Sequence, residues 1–217
     1  MKLPRRAAPY ALAVIAAPLL KDGHSVEILD LNKTDSELTV LRKKLTHFQP
    51  DYVGISFTTP LIEKAIIIAS EIKKFNKDII VIAGGVHPTS FPEELLKESD
   101  FDMVVVGEGD FVLSELIKSK DISSVGNLVY KQNGNIISNP KNKLIKDLDM
   151  LPYPAWSLYD INSYKTANIL TRNNPAGWIE TSRGCVYNCS FCNKNIAGKT
   201  FRVKSPKRVT DEIEFML

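Results

Sequence analysis

The first half of the sequence predicts an α/β fold, a Rossmann-like (flavodoxin-like) domain built on a parallel sheet. Three observations lead there. Short, continuously apolar, β-rich runs occur at 26–31, 52–57, 79–83 and 103–106, as expected of strands covered on both faces. Between them lie segments of helical periodicity at 10–21, 36–48, 61–75, 92–97 and 111–118. Small residues follow the strands at Ser56, Gly84-Gly85 and Gly107-Glu108-Gly109. In open α/β sheets these carboxyl ends are where ligands bind, because the loops there present backbone N–H groups and helix starts.

Each element has a local cause. Thr34 and Glu37 have the spacing of a capping box for the helix at 36–48, and Pro92 suits a first helical turn. Residues 1–9 hold no apolar run of the kind that opens such domains, so the sheet is expected to lack its central first strand and to leave neighbouring edges unpaired. After Ser119 the pattern changes. Apolar runs at 125–130 and 136–138 flank Asn133-Gly134, a strong hairpin signal. Pro152 and Pro154 make 148–156 an interdomain strap, with Tyr153 and Trp156 packing it down. A short strand is expected at 178–181 and a final helix from Ser205-Pro206, with Val209, Ile213 and Met216 at helical spacing. The expected organisation is 1–122 for the sheet domain, 123–174 for hairpin and strap, and 175–217 for the opening of a second domain.

Composition narrows the function. With 44% hydrophobic residues among 217, the chain can bury a core, and a net charge of +3 is too small to argue for nucleic acid, which is not the expected partner. The longest apolar run, 10–20, is about half of the roughly 20 residues that span a bilayer. Lys21-Asp22-Gly23-His24 follows it in place of a signal cleavage site, which reads as a cytoplasmic protein. From Thr181 to Thr210 there is no acidic residue, against seven cations: Arg183, Lys194, Lys199, Arg202, Lys204, Lys207 and Arg208. Such a patch could attract nucleic acid or an anionic cofactor carboxylate, but the preferred reading is a solvated loop near anionic thiolates, with Glu93, Glu94, Glu212 and Glu214 on solvated helix faces. Glu108 suits either a cofactor contact or a helix cap.

The three cysteines, Cys185, Cys189 and Cys192, fall within one short segment, Gly-Cys185-Val-Tyr-Asn-Cys189-Ser-Phe-Cys192. An odd number so close together is no disulfide framework. Three thiolates can hold three corners of a four-iron cluster and leave one iron open, since full protein ligation takes four. A structural zinc needs a fourth ligand, and His24, His47 and His87 are far upstream. Unliganded core cysteines would be the plainest reading, but polar Asn188, Ser190 and Asn193 interrupt the stretch.

The C-x3-C-x2-C spacing with Phe191 before the last Cys resembles the signature of the radical S-adenosylmethionine (radical SAM) enzymes. The resemblance implies that Cys185, Cys189 and Cys192 hold a 4Fe-4S cluster whose open iron chelates S-adenosylmethionine, with Phe191 near the adenine. It also implies an electron donor such as flavodoxin or ferredoxin, and that 175–217 opens a (β/α) barrel. The chemistry is a cofactor's, with placement left to the protein.

The first half is similar to the cobalamin-binding domain that precedes the radical module in one subgroup of that family. Three stretches carry the likeness: 9–13 with 23–30, Gly84-Gly-Val-His87-Pro-Thr-Ser-Phe-Pro-Glu-Glu94, and Phe101-Asp-Met-Val-Val-Val-Gly107-Glu108-Gly109-Asp110. The strap adds a fourth. Cobalamin domains carry a Ser-x-Leu turn and then a Gly-Gly turn; here Ser56-Phe57-Thr58 and Gly84-Gly85 stand in those places. The resemblance implies contacts from Ser56, Thr58, Gly84, Gly85, His87, Gly107, Glu108 and Gly109. The Asp-x-His-x-x-Gly motif that supplies a cobalt ligand is absent, so cobalamin would bind without it, and His87 is expected in a loop beside the ligand. The implied activity is methyl transfer or rearrangement at an unactivated carbon of a small-molecule or unknown substrate. The alternatives are a family member without cobalamin, or a non-catalytic fragment that binds metal or corrinoid only.

Length then bears on this reading. A full barrel takes about 250 residues, and 178–217 offers about one βα unit. The expectation is a truncated chain, or one that needs a partner.

Overall fold

The computed structural model describes residues 7–34, 36–140, 144–165, 173–194, 196 and 198–217. It divides into two units. One comprises the described residues of Met1–Lys33, Lys146–Arg183 and Thr200–Leu217; the other those of Thr34–Ile145 and Gly184–Lys199.

The first unit opens with α1 (Tyr10–Lys21), whose Ala13, Val14, Ala16, Ala17 and Leu19 are buried. Ala16 and Ala17 pack with Ala155 of the strap and with Val26 and Ile28. The strap is tied to α1 by the Ala155 N–H, which donates to Ala13 O at 2.9 Å. Tyr159 OH donates to Pro9 O at 2.8 Å, and the Tyr10 and Trp156 rings lie 5.9 Å apart. The strap therefore packs through aromatic residues, as its composition predicts.

The second unit holds the sheet. Its elements are α2 (Glu37–Phe48), β1 (Tyr52–Ser56), α3 (Ile62–Phe75), β2 (Ile80–Gly84), α4 (Val86–Ser90), α5 (Pro92–Glu98), β3 (Met103–Val105), α6 (Val112–Lys118), β4 (Leu128–Gln132) and β5 (Asn135–Ser138). Strand order is β1-β2-β3-β4-β5, with β1, β2 and β3 parallel. The hairpin is no separate appendage: β4 adds antiparallel to β3 and covers its edge. Asn133 (φ 50°) and Gly134 (φ 79°) are both left-handed, the conformation a tight two-residue turn demands. Ile82, Val105, Val112, Leu116, Val125, Leu128 and Tyr130 form one core cluster.

Three expectations need correction. Residues 26–31 are not a strand: 26–30 form no regular element and lead into a short 3-10 turn at Leu31–Lys33. A parallel strand needs a neighbour, and residues 1–6 of the stretch where the sequence offers no apolar run to supply one lie outside the described residues. Correspondingly, β1 is an edge strand. Asp51 O accepts from Ile80 N–H and Phe57 N–H donates to Gly84 O, so odd residues bond β2 and the backbone of Tyr52, Gly54 and Ser56 faces away. Second, the capping box at Thr34 does not form. Ser36 is the N-cap of α2, and Thr34 Oγ1 accepts the Ser36 N–H at 3.1 Å from outside the helix. Third, the strand expected at 178–181 lies later, as β6 (Ser182–Arg183), paired antiparallel with β7 (Arg202–Val203). The last helix, α7 (Pro206–Met216), starts as predicted, with Ser205 Oγ accepting the Arg208 N–H.

Candidate functional site

The carboxyl ends of β1, β2 and β3 present the residues singled out from sequence. Ser56 ends β1 opposite Gly84 at the end of β2. Ser56 and Thr58 are exposed. The two glycines of β2 differ sharply. A Cβ on Gly84 would meet nothing within 4 Å, so its free face opens away from the protein. A Cβ on Gly85 would lie 2.8 Å from Phe57 O, and its φ of 102° belongs to glycine. Gly85 therefore serves the fold, and Gly84 leaves room for a ligand.

His87 sits in α4, not in a loop, and is 7% exposed. Its ring lies 5.8 Å from Phe57 and 5.3 Å from Phe91, and Nδ1 is 3.2 Å from Thr59 Oγ1. That makes it a packed core histidine. After β3, Gly107 (φ 80°) donates its N–H to Thr89 Oγ1 at 3.1 Å. A Cβ on Gly109 would come within 3.1 Å of Val105 Cγ1, so the turn into α6 packs on β3. Glu108 neither caps α6 nor faces open solvent alone. Its Oε2 accepts the Ile145 N–H at 3.0 Å, and its carbonyl accepts from Asn127 Nδ2 at 3.1 Å.

The cysteine loop belongs to the same unit as the sheet. Cys185, Cys189 and Cys192 are free and exposed, and Phe191 is 90% exposed. Cys192 N–H donates to Cys189 O at 3.2 Å, a turn that holds two of the cysteines on one short arc of backbone. Among the described residues no three His, Cys, Asp or Glu side chains converge on one metal position. The donor set is thus chemically right for an iron–sulfur cluster, while the loop does not hold it preassembled.

Two anchors that sequence reasoning missed bring this loop to the carboxyl ends of the strands. Asn193 Nδ2 donates to Ser90 Oγ at 2.7 Å, at the end of the helix that follows Gly84-Gly85. Gly198 (φ 78°) packs on Leu144, whose neighbour Ile145 is held by Glu108. Asn193 was visible only as a polar interruption among the cysteines.

The cationic stretch is a solvated loop only in part: Lys199 and Lys207 are exposed, while Lys204 and Arg202 are buried, at 5% and 6% exposure. Glu212, expected on a solvated face, is 3% exposed. The acids come from just outside the stretch: Glu180 pairs with Arg183 at 2.8 Å, Asp211 with Lys207 at 2.7 Å, and Glu212 with both Lys204 and Arg208 at 2.7 Å. Glu93, Glu94 and Glu214 are exposed as expected. Ser205 holds the Asp149 carboxyl below its usual range through its side chain and N–H. Burial, with Glu180 and Glu212 nearby, pushes the Tyr10 phenol well above the ordinary range; burial does the same to Tyr159 and Tyr164.

A sheet with small residues at its carboxyl ends, an open glycine at the end of β2 and a cysteine loop anchored beside it defines a cofactor-binding α/β domain. Residues 2–117 match the model of the B12 binding domain, and the chain belongs to that family. The chain is 33% identical to an uncharacterized methyltransferase of Pyrococcus horikoshii, over 96% of this chain and 45% of the relative. It is 30% identical to the anaerobic magnesium-protoporphyrin IX monomethyl ester cyclase of Rubrivivax gelatinosus, over 96% of this chain and 39% of that protein. The chain thus spans less than half the length of these curated relatives. Two solved structures share the fold. The radical S-adenosylmethionine methyltransferase TsrM from Kitasatospora setae, with cobalamin and a [4Fe-4S] cluster bound, matches with a TM-score of 0.74 at 24% identity, covering 97% of this chain and 43% of that one. The cobalamin-dependent S-adenosylmethionine radical enzyme OxsB, with aqua-cobalamin bound, matches with a TM-score of 0.82 at 22% identity, covering 99% and 30%. Among the described residues no helix is long and apolar enough to cross a membrane.

Proposed function

We propose that this chain is the cobalamin-binding and cluster-binding portion of a radical SAM enzyme that transfers a methyl group to, or rearranges, an unactivated carbon. The observation that carries the reading is the Asn193–Ser90 hydrogen bond, which sets the cysteine loop beside the Gly84 end of the sheet within one unit. Two cofactors that act in one reaction must lie close together, and no other part of the chain offers three thiols. When bound, the cluster supplies the electron that cleaves S-adenosylmethionine and cobalamin supplies a transferable methyl group.

The residues have separable duties in this reading. Ser56 and Thr58 offer hydroxyls, and Gly84 and Gly107 offer close backbone approach, to the corrinoid and its nucleotide tail. His87 is packed between two phenylalanines, so cobalamin would bind without cobalt ligation from it. Glu108 supports Ile145 and, through Leu144, the Gly198 turn, in place of touching a cofactor. Cys185, Cys189 and Cys192 hold the cluster, with Phe191 free to cover the adenine. Electrons come from a reduced flavodoxin- or ferredoxin-like donor, in a cytoplasmic setting that protects the cluster.

Anaerobic reconstitution of the chain with iron and sulfide tests this. The expected result is a bound four-iron cluster and reductive cleavage of S-adenosylmethionine, both lost in Cys185→Ala. A colourless protein that takes up one zinc per chain would sink the reading.

A further inference from the structure

The cysteine loop, 184–201, is a long excursion between two strands of two residues each. Only Ser182↔Val203 and Arg183↔Arg202 are paired, with one more bond from Lys204 N–H to Thr181 O at 2.9 Å. A ladder this short has no stability of its own, and closing a loop of this length costs chain entropy. Something else must hold its ends together.

Immediately after β7 comes Lys204, whose side chain is 1% exposed. Its Nζ donates to both carboxylate oxygens of Glu212 at 2.7 Å each and lies 3.3 Å from Tyr10 OH. Arg208 donates to the same Glu212 through Nε at 2.9 Å and a terminal nitrogen at 2.7 Å. Its other terminal nitrogen donates to Asp149 O at 3.0 Å, and its guanidinium stacks 4.2 Å from the Tyr153 ring. Asp149 Oδ1 in turn accepts the Ser205 N–H at 2.9 Å. One dehydrated carboxylate thus joins the residue that closes the loop to α7 and, through Arg208, to the strap.

A buried ion cluster is a poor device for stability, because dehydration offsets much of its attraction. It is a good device for register, since a shifted partner leaves a buried charge unpaired. An apolar plug would have closed this space without fixing which residue of β7 faces which of β6. We infer that Lys204, Glu212 and Arg208 are positioning residues whose buried ion cluster fixes the β6–β7 register and thereby holds the two ends of the cysteine loop. As a statement about the cluster, this rests on the function proposed above; as a statement about the loop ends, it does not.

The test compares the full chain with a Lys204→Met/Arg208→Met/Glu212→Leu variant, in which the buried charges are replaced together by apolar side chains. A merely structural role predicts unchanged behaviour once the space is filled. The expected result is a thermal midpoint equal to or above that of the wild type, with the Lys204 and Arg183 amides of the metal-free protein exchanging about tenfold faster. After reconstitution, the variant's cluster should bleach in air several times faster. Wild-type exchange rates in a folded variant overturn the inference. A wild type that takes up no iron overturns the proposed function instead, and the exchange rates alone then decide the inference. If the triple variant does not fold, Glu212→Gln replaces it: it should fold and raise the same exchange rates about threefold, and unchanged rates overturn the inference.

Discussion

The two units of this chain are held by different physics. The sheet unit is stabilised by apolar side chains buried between strands and helices, with Phe101, Ile72, Leu96, Leu128, Val81 and Val104 essentially inaccessible to water. The other unit buries a smaller apolar set, the inner face of α1 with Leu148 and Leu151 of the strap, and adds polar ties: Tyr159 to Pro9 O, Tyr164 to Asp30, Asp149 to Ser205, and the Lys204–Glu212–Arg208 cluster. The first is a core that tolerates repacking but not emptying. The second is a set of directional contacts, each small, that fix where the strap and the loop ends lie.

Substitutions can break that contrast. Phe101→Ala, which removes a fully buried ring stacked 5.9 Å from Phe57, should cost about 3–5 kcal/mol in urea unfolding. Gly85→Ala should cost about 1–3 kcal/mol, because its left-handed backbone and the approach of Phe57 O both oppose a Cβ. Tyr159→Phe, which loses one hydrogen bond and no packing, should cost about 1 kcal/mol.

The smallest effect is on alkaline stability. Tyr10, Tyr159 and Tyr164 have folded pKa values raised by burial. The unfolded chain therefore gives up these protons first, at about pH 10. Their contribution is fully present below about pH 10 and is lost as pH rises through the raised folded values. In a spectrophotometric titration, Tyr10, Tyr159 and Tyr164 should resist ionisation until the chain unfolds. Ionisation of these three at about pH 10 in the folded protein would contradict the burial of their phenols.

The same contrast explains what could be read from sequence. The apolar strands, the Asn133-Gly134 turn, Pro92 and Ser205-Pro206 each carry a local signal, and β1, β2, β3, the hairpin, α5 and α7 lie where those signals put them, within a few residues. The strand expected at 26–31 did not form although its apolar residues are present, because pairing depends on a partner strand that a local run of residues does not specify. Polar contacts were least legible. Glu212 follows Lys204 by eight positions and Arg208 by four, which on a helix reads as an ordinary surface pair. Nothing local tells that the space around them is closed. Glu108 was singled out, but its partner Ile145 N lies 37 positions away. The cysteine spacing was legible because its chemistry is written in consecutive residues, whereas the Asn193–Ser90 bond that places the loop spans 103 positions.

Cobalamin binding tests the central claim most directly, and the difference between Gly84 and Gly85 makes it decisive. A side chain at Gly84 meets nothing in the protein, so Gly84→Val should leave the fold intact while standing in the space proposed for the corrinoid. Titration with hydroxocobalamin, followed by absorbance, should give one bound corrinoid per wild-type chain and at least tenfold weaker binding in Gly84→Val. No bound corrinoid at micromolar wild-type protein, or equal binding by a folded Gly84→Val variant, would contradict the account.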